Sequence, residues 1–135
     1  MDIFTSPVLL TLKKSLDAGA LRQRVIANNI ANFNTPGFKK SVVSFEDQLK
    51  NALGDQNFQL AATHPKHFGG VPSLYGLAPE ITIDRSTSMR TDGNNVDADQ
   101  EMTSLVVNVI KYRSAADRLS EKMSLLSYVI TGGRR

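Results

Sequence analysis

The sequence predicts a mainly α-helical protein: an antiparallel coiled-coil hairpin of long N- and C-terminal helices joined by an extended, loop-rich middle segment. Three observations carry that expectation. Four of the five prolines and six of the nine glycines fall between residues 33 and 96, so chain breakers mark off a middle segment between two clean ones. Both clean segments repeat apolar residues at heptad spacing. The chain has 135 residues, 41% of them hydrophobic, with six Phe, three Tyr and no Trp. That is one domain's length with few large anchors for a self-contained core. The organisation is therefore 1–34 as the N-terminal helix of the core, 35–96 as the middle segment and 97–135 as the C-terminal helix.

Thr5-Ser6-Pro7 reads as a helix start. A serine hydroxyl can accept from free N–H groups, and proline in the first turn lacks a donor that the turn does not need. Residues 7 to about 32 then form one helix, roughly 39 Å long at 1.5 Å per residue. Its a/d positions are Leu9, Leu12, Leu16, Gly19, Gln23, Ile26, Ile30 and Phe33, an apolar seam broken by Gly19 and Gln23, which suits a close crossing.

The middle segment holds one short helix candidate, Ser44 to Leu53, with Phe45, Leu49 and Leu53 at i, i+4 spacing and Gly54 as its stop. One alternating run, Glu80-Ile81-Thr82-Ile83-Asp84, reads as a strand. A single strand makes no sheet, so residues 55–96 are expected to be mostly extended loop whose backbone finds partners in water or another chain.

The last segment carries the stronger seam. Met102, Leu105, Val109, Tyr112, Ala116, Leu119, Met123, Leu126 and Ile130 occupy successive a/d positions with no charged residue among them. Asp97 can cap this helix, Gln100 can reach back to it, and Asp99 and Glu101 suit the positive end of the dipole. Thr131-Gly132-Gly133 ends it, with Arg134 and Arg135 at the negative end.

Paired along one stripe each, the two helices leave Leu10, Leu21, Val25, Val106, Val107, Ile110, Leu125, Tyr128 and Val129 exposed. At about 25 cal/mol per Å² of apolar area, covering them favours association. The alternative is that the middle segment folds back over them as an ordinary three-helix domain.

Composition and motifs exclude much else. With no cysteine there is no disulfide framework, thiol redox motif or cysteine nucleophile. Sixteen Lys and Arg against 13 Asp and Glu give a net charge of +3, which permits weak contact with an anionic surface but does not argue for nucleic acid. The basic residues, Lys39-Lys40 and Arg134-Arg135 among them, are dispersed rather than interleaved with aromatics on one face. His64-Pro65-Lys66-His67 has a spacing that two metal ligands could use on a helical turn, but Pro65 breaks the turn and no carboxylate is near in sequence. Neither a Ser-His-Asp arrangement nor a phosphate-cradling glycine motif appears. We expect no enzyme, no metal and no cofactor. No apolar run reaches the roughly 18 residues that span a bilayer, and the opening Met1-Asp2-Ile3-Phe4 lacks the basic region of a secretory signal. Membrane insertion is not expected, and export, where it occurs, would use another route.

The most distinctive stretch is residues 27–38, where Asn28, Asn29, Asn32 and Asn34 give four asparagines in seven residues, poor helix material leading into Thr35-Pro36-Gly37-Phe38. That tetrapeptide suits a type II turn with Pro at i+1 and Gly at i+2. Asn32 or Asn34 is expected in the left-handed conformation that ends a helix. Asn28 and Asn29 have no local reason to be there, and an amide between packed subunits would give them partners.

Asn28, Asn29, Ile30, Ala31, Asn32, Asn34, Thr35, Pro36, Gly37 and Phe38 together resemble the N-terminal signature of bacterial flagellar rod and hook proteins. The short chain, Phe45-Glu46-Asp47-Gln48-Leu49, Thr63-His64-Pro65-Lys66-His67-Phe68, and the turn Asp92-Gly93-Asn94-Asn95-Val96-Asp97 before the last helix narrow the resemblance to the short proximal rod subunits of that family. The resemblance implies a structural subunit that passes through the flagellar type III export apparatus and assembles helically, through its terminal helices, into the periplasmic drive shaft. The implied partners are copies of itself, other rod proteins and the rod adaptor at the membrane (MS) ring. The residues alone leave two alternatives: another short rod protein of the same family, or a soluble coiled-coil adaptor with a basic surface for an anionic partner.

Overall fold

The computed structural model describes residues 6–54, 76–86 and 90–132. In chain order these form α1 (Pro7–Ala31), β1 (Ser41–Ser44), α2 (Glu46–Gly54), β2 (Glu80–Ile83) and α3 (Ala98–Ile130). The two long helices pack on one another and make the protein mainly helical. The path expected for residues 55–75, the histidine pair at 64 and 67, and Arg134-Arg135 lie outside the described residues.

Local chemistry sets the helix ends, not always by the expected atom. Pro7 takes the first position of α1, but the Ser6 side chain makes no capping bond, so the start rests on proline's fixed φ. At the other end Asn32 donates its N–H to the carbonyls of Asn28 and Asn29 and its Nδ2 to Asn28 O at 2.8 Å. Among the described residues no non-glycine has a positive φ, so neither Asn32 nor Asn34 is left-handed; that conformation falls to Gly37, Gly93 and Gly132. Gly37, at φ 70°, is the i+2 residue of a type II turn that Phe38 N closes on Thr35 O at 3.2 Å. For α3, the Asp97 carboxylate accepts from Asp99 N at 3.0 Å and Gln100 N at 3.2 Å.

The strand at Glu80–Ile83 has a partner in the same chain, contrary to the expectation of a lone strand. It pairs antiparallel with Ser41–Ser44, Ser41 opposite Ile83 and Ser44 opposite Glu80. Val42 and Val43 between two serines are too short a run to show a period. The expected helix at 44–53 begins two residues later, because Ser44 is spent in the ribbon. Phe45 and Ala52 then join Ala18 of α1 and Leu77 in a small buried core beside Leu49. Lys14 Nζ donates to Leu77 O at 2.6 Å and ties the chain before β2 to α1.

α1 and α3 run antiparallel. Asn29 bonds Glu101, Gly19 meets Asn108 and Tyr112, and Val8 and Leu9 share a small cavity with Leu125 and Leu126. On α1, Leu9 and Ile26 of the seam are buried and Leu12, Leu16 and Ile30 are half-buried. Val25, expected outside, is also buried, under the ribbon side of the helix.

Gly19 marks the close crossing that the seam anticipates. A Cβ there would sit 3.1 Å from Tyr112 Cδ2, tighter than ordinary van der Waals contact. On the α2 side, Arg22 pairs with Glu46 at 2.6 Å. Burial acts most strongly on Glu46 and opposes its ionisation, but the Arg22 hydrogen bond, a backbone bond and the charges of Arg22 and Lys111 together hold its carboxyl below the ordinary value. Gly19→Val should lower stability by about 1–3 kcal/mol, since a branched side chain must push Tyr112 aside; urea unfolding followed by circular dichroism reads the change.

Candidate assembly interface

Two features stand out: a junction built from asparagines inside the fold, and an apolar face of α3 left outside it. The largest fully buried side chains among the described residues are Asn29, Asn94 and Asn95. Buried amides cost free energy unless bonded, and these are bonded.

Asn29 treats β1 as a strand treats its neighbour. Its Oδ1 accepts from Ser41 N at 3.0 Å, its Nδ2 donates to Ser41 O at 2.8 Å, and the second Nδ2 hydrogen reaches Glu101 Oε2 at 3.0 Å. It thus finds within one chain the partners expected from a packed subunit. Asn28, by contrast, is exposed, and its carbonyl accepts from the Asn32 side chain and N–H.

Asn94 closes the end of α1. Its Nδ2 lies 3.1, 3.0 and 2.9 Å from the carbonyls of Asn32, Phe33 and Thr35, and its Oδ1 accepts from Val96 N at 2.7 Å. The backbone reversing after α1 turns three carbonyls towards one point, and one amide reaches all of them. Asn95 does the same for the ribbon, accepting from Lys40 N at 2.7 Å and donating to Asp84 O at 2.8 Å. Gly37 N donates to Asp92 O at 2.9 Å, and Arg90 Nη1 donates to Phe33 O at 3.0 Å and Asn34 Oδ1 at 3.3 Å. Residues 28–38 and 92–97, two stretches far apart in sequence, therefore form one polar junction. Its inner residues Asn29, Asn94, Asn95 and Val96 are buried, Ile30, Asn32, Phe38, Asp92, Gly93 and Asp97 are half-buried, and Ala31, Asn34, Thr35, Pro36 and Gly37 face solvent. Near its edge, the Ser86 side chain and N–H on Asp84, with Lys40 and Lys39 adding charge, hold the Asp84 carboxyl below its ordinary value.

On α3 the buried residues are Glu101 and Asn108, one heptad apart. The column Leu105, Leu119 and Leu126 is half-buried, as are Val109 and Ala116, while Met102, Tyr112, Met123 and Ile130 are exposed. The helix is therefore rotated so that a polar column shares the crossing with half of the apolar seam. Asn108 Nδ2 donates to Gly19 O at 2.9 Å, and its Oδ1 is enclosed without a donor. Sequence reasoning read Glu101 only as a charge at the start of the helix and passed over Asn108. The signal was available: Glu101 and Asn108 repeat at seven residues beside an apolar column.

The rotation leaves apolar residues uncovered towards both ends of the helix, with Arg113, Asp117, Arg118 and Glu121 between them. Val106 (58% exposed), Ile110 (59%), Leu125 (59%) and Val129 (68%) join Met102, Val107, Tyr128 and Ile130 there. Among the described residues no three His, Cys, Asp or Glu side chains cluster as a metal site, and no helix is long and apolar enough to cross a membrane.

Asn94→Ala should cost about 1–3 kcal/mol, because it removes an amide that bonds four backbone groups and leaves the buried Val96 N–H without its acceptor. Thermal and urea unfolding check this, with exposed Asn28→Ala as the near-neutral comparison.

Comparison with known proteins agrees with this geometry. Residues 9–39, which run through α1 and the type II turn, match the family model for flagella basal body rod protein. The flagellar basal body rod protein FlgB of Bacillus subtilis (strain 168) is 37% identical, covering 99% of this chain and 100% of its own length. That of Borrelia hermsii is 39% identical over 83% of this chain and 86% of its own, and that of Aeromonas hydrophila 34% over 87% and 88%. With identities of this order running across α1, the junction and α3, the chain belongs to the FlgB family of flagellar basal body rod proteins.

Proposed function

We propose that the chain is a structural, non-enzymatic subunit of the proximal rod, exported by the flagellar type III apparatus and assembled helically through its terminal helices. In this reading α1 and α3 act as a coiled-coil hairpin. The uncovered apolar patches on α3 pack against copies of the chain and other rod proteins, and one end of the assembly meets the adaptor at the membrane ring, within the periplasm. Neither nucleic acid nor membrane insertion has a part in it.

The observation that carries the proposal is the division of labour on α3. One side of the helix meets α1 through Glu101 and Asn108, with Leu105 and Leu119 half-buried, while Val106, Ile110 and Val129 stand more than half exposed. Exposed apolar patches of this kind, one at each end of a long helix with Arg113, Asp117, Arg118 and Glu121 between them, mark contacts made elsewhere. They also separate this reading from a basic-surface adaptor, whose binding would weaken steeply with salt.

Ile110→Asp tests the proposal, because the side chain lies outside the α1 contact. The dilute variant should unfold within about 0.5 kcal/mol of the parent. Cells carrying it should lose motility and yield no rod-bearing basal bodies. Normal rods with Ile110→Asp and likewise with Val106→Asp would overturn the assembly role of this face.

A further inference from the structure

Glu101 has a role that burial alone does not account for. It is 7% exposed, and a buried carboxylate costs free energy unless a cation or a full set of donors meets it. Oε2 has its donor in Asn29 Nδ2 at 3.0 Å. Oε1 has none among the described residues, and no cation there pairs with Glu101. Because Asn108 Oδ1 is the one enclosed side-chain atom without a partner among those residues, Glu101 Oε1 is not sealed from solvent.

Glu101 lines a half-open cavity of about 310 Å³ between α1, β1 and the start of α3, where Val25, Val43, Ser104, Arg22 and Lys40 also contribute. The two cations are committed elsewhere, Arg22 to Glu46 at 2.6 Å and Lys40 to Asp84 at 3.9 Å. Glu101 is thus the lining charge without an ion partner among the described residues. Apolar walls with one acceptor-bearing carboxylate fit a long, thin, cationic side chain: methylenes against Val25 and Val43, and a charged head at Oε1.

We propose that this cavity is a socket for one lysine or arginine side chain of an adjoining rod subunit, held by Glu101. The proposal rests on the assembly reading above for the identity of the neighbour, not for the existence of the socket. Occupancy would complete the donor set of a carboxylate that the single chain leaves half satisfied, so the contact would form with little cost to the fold.

Glu101→Gln keeps the shape and leaves an amide oxygen for Asn29, while removing the charge. The dilute variant should melt as the parent does, and motility and recovered rods should fall tenfold or more; normal assembly would overturn the socket. A second measurement depends on neither assembly nor a variant's folding. In the unaltered chain, n-butylammonium should produce saturable amide shifts at Ser41, Val43, Glu101 and Ser104 that n-butanol does not. Absence of saturation, or equal shifts with the alcohol, would overturn the socket even where Ile110→Asp upholds the assembly role, and saturation would uphold it even where Ile110→Asp assembles normally.

Discussion

The carboxamide of Asn94 is the constraint from which the rest of the structure follows. A helix of 25 residues ends at Ala31, and the chain must then reverse to start β1, turning the carbonyls of Asn32, Phe33 and Thr35 towards one point. Asn94 gathers the carbonyls of Asn32, Phe33 and Thr35 with one Nδ2 and holds its own loop by Val96 N. This fixes where the segment before α3 lies against the end of α1, and so where α3 begins. Asn95 and Asn29 then set the ribbon against both helices. An apolar plug of the same volume could fill the space but could not satisfy the reversing backbone.

The consequence is an inversion of the usual division between inside and outside. The most buried large side chains are amides, whereas much of the apolar surface of α3 faces solvent. The small cluster of Ala18, Phe45, Ala52 and Leu77 is the main apolar core among the described residues. Hydrogen bonds supply geometry more than net free energy, each contributing about 1 kcal/mol, so a molecule knit this way is well specified in shape and modest in stability. Its remaining hydrophobic free energy is available to contacts between chains, as a subunit built for assembly requires.

Much of this was legible in the sequence because it rests on local rules. Breakers placed the two long helices to within a residue or two, the Thr35-Pro36-Gly37-Phe38 turn was read from its proline and glycine, and Glu80–Ile83 from its alternation. The rest depends on meetings between distant residues. Nothing near Asn29 says that it will mimic a strand partner for Ser41, and nothing near Asn94 says that its three acceptors lie about sixty positions earlier. The same blindness hid β1, whose four residues have no period until β2 lies beside them, and set the rotation of α3, where an all-apolar seam gives way at Glu101 and Asn108 to a polar column with partners on α1. Apolar spacing measures how much a helix can bury; it does not say which chain will bury it.

The central claim is that the asparagine junction is complete within one chain, while the outer face of α3 is completed by others. Amide hydrogen exchange on the dilute, unassembled protein tests this most directly. The N–H groups of Lys40, Ser41 and Val96, each held by a buried asparagine oxygen, should be among the slowest to exchange, with those near Val129 among the fastest. Free exchange at Lys40, Ser41 and Val96 in the single chain, with protection appearing only on assembly, would contradict the account and place the junction between subunits.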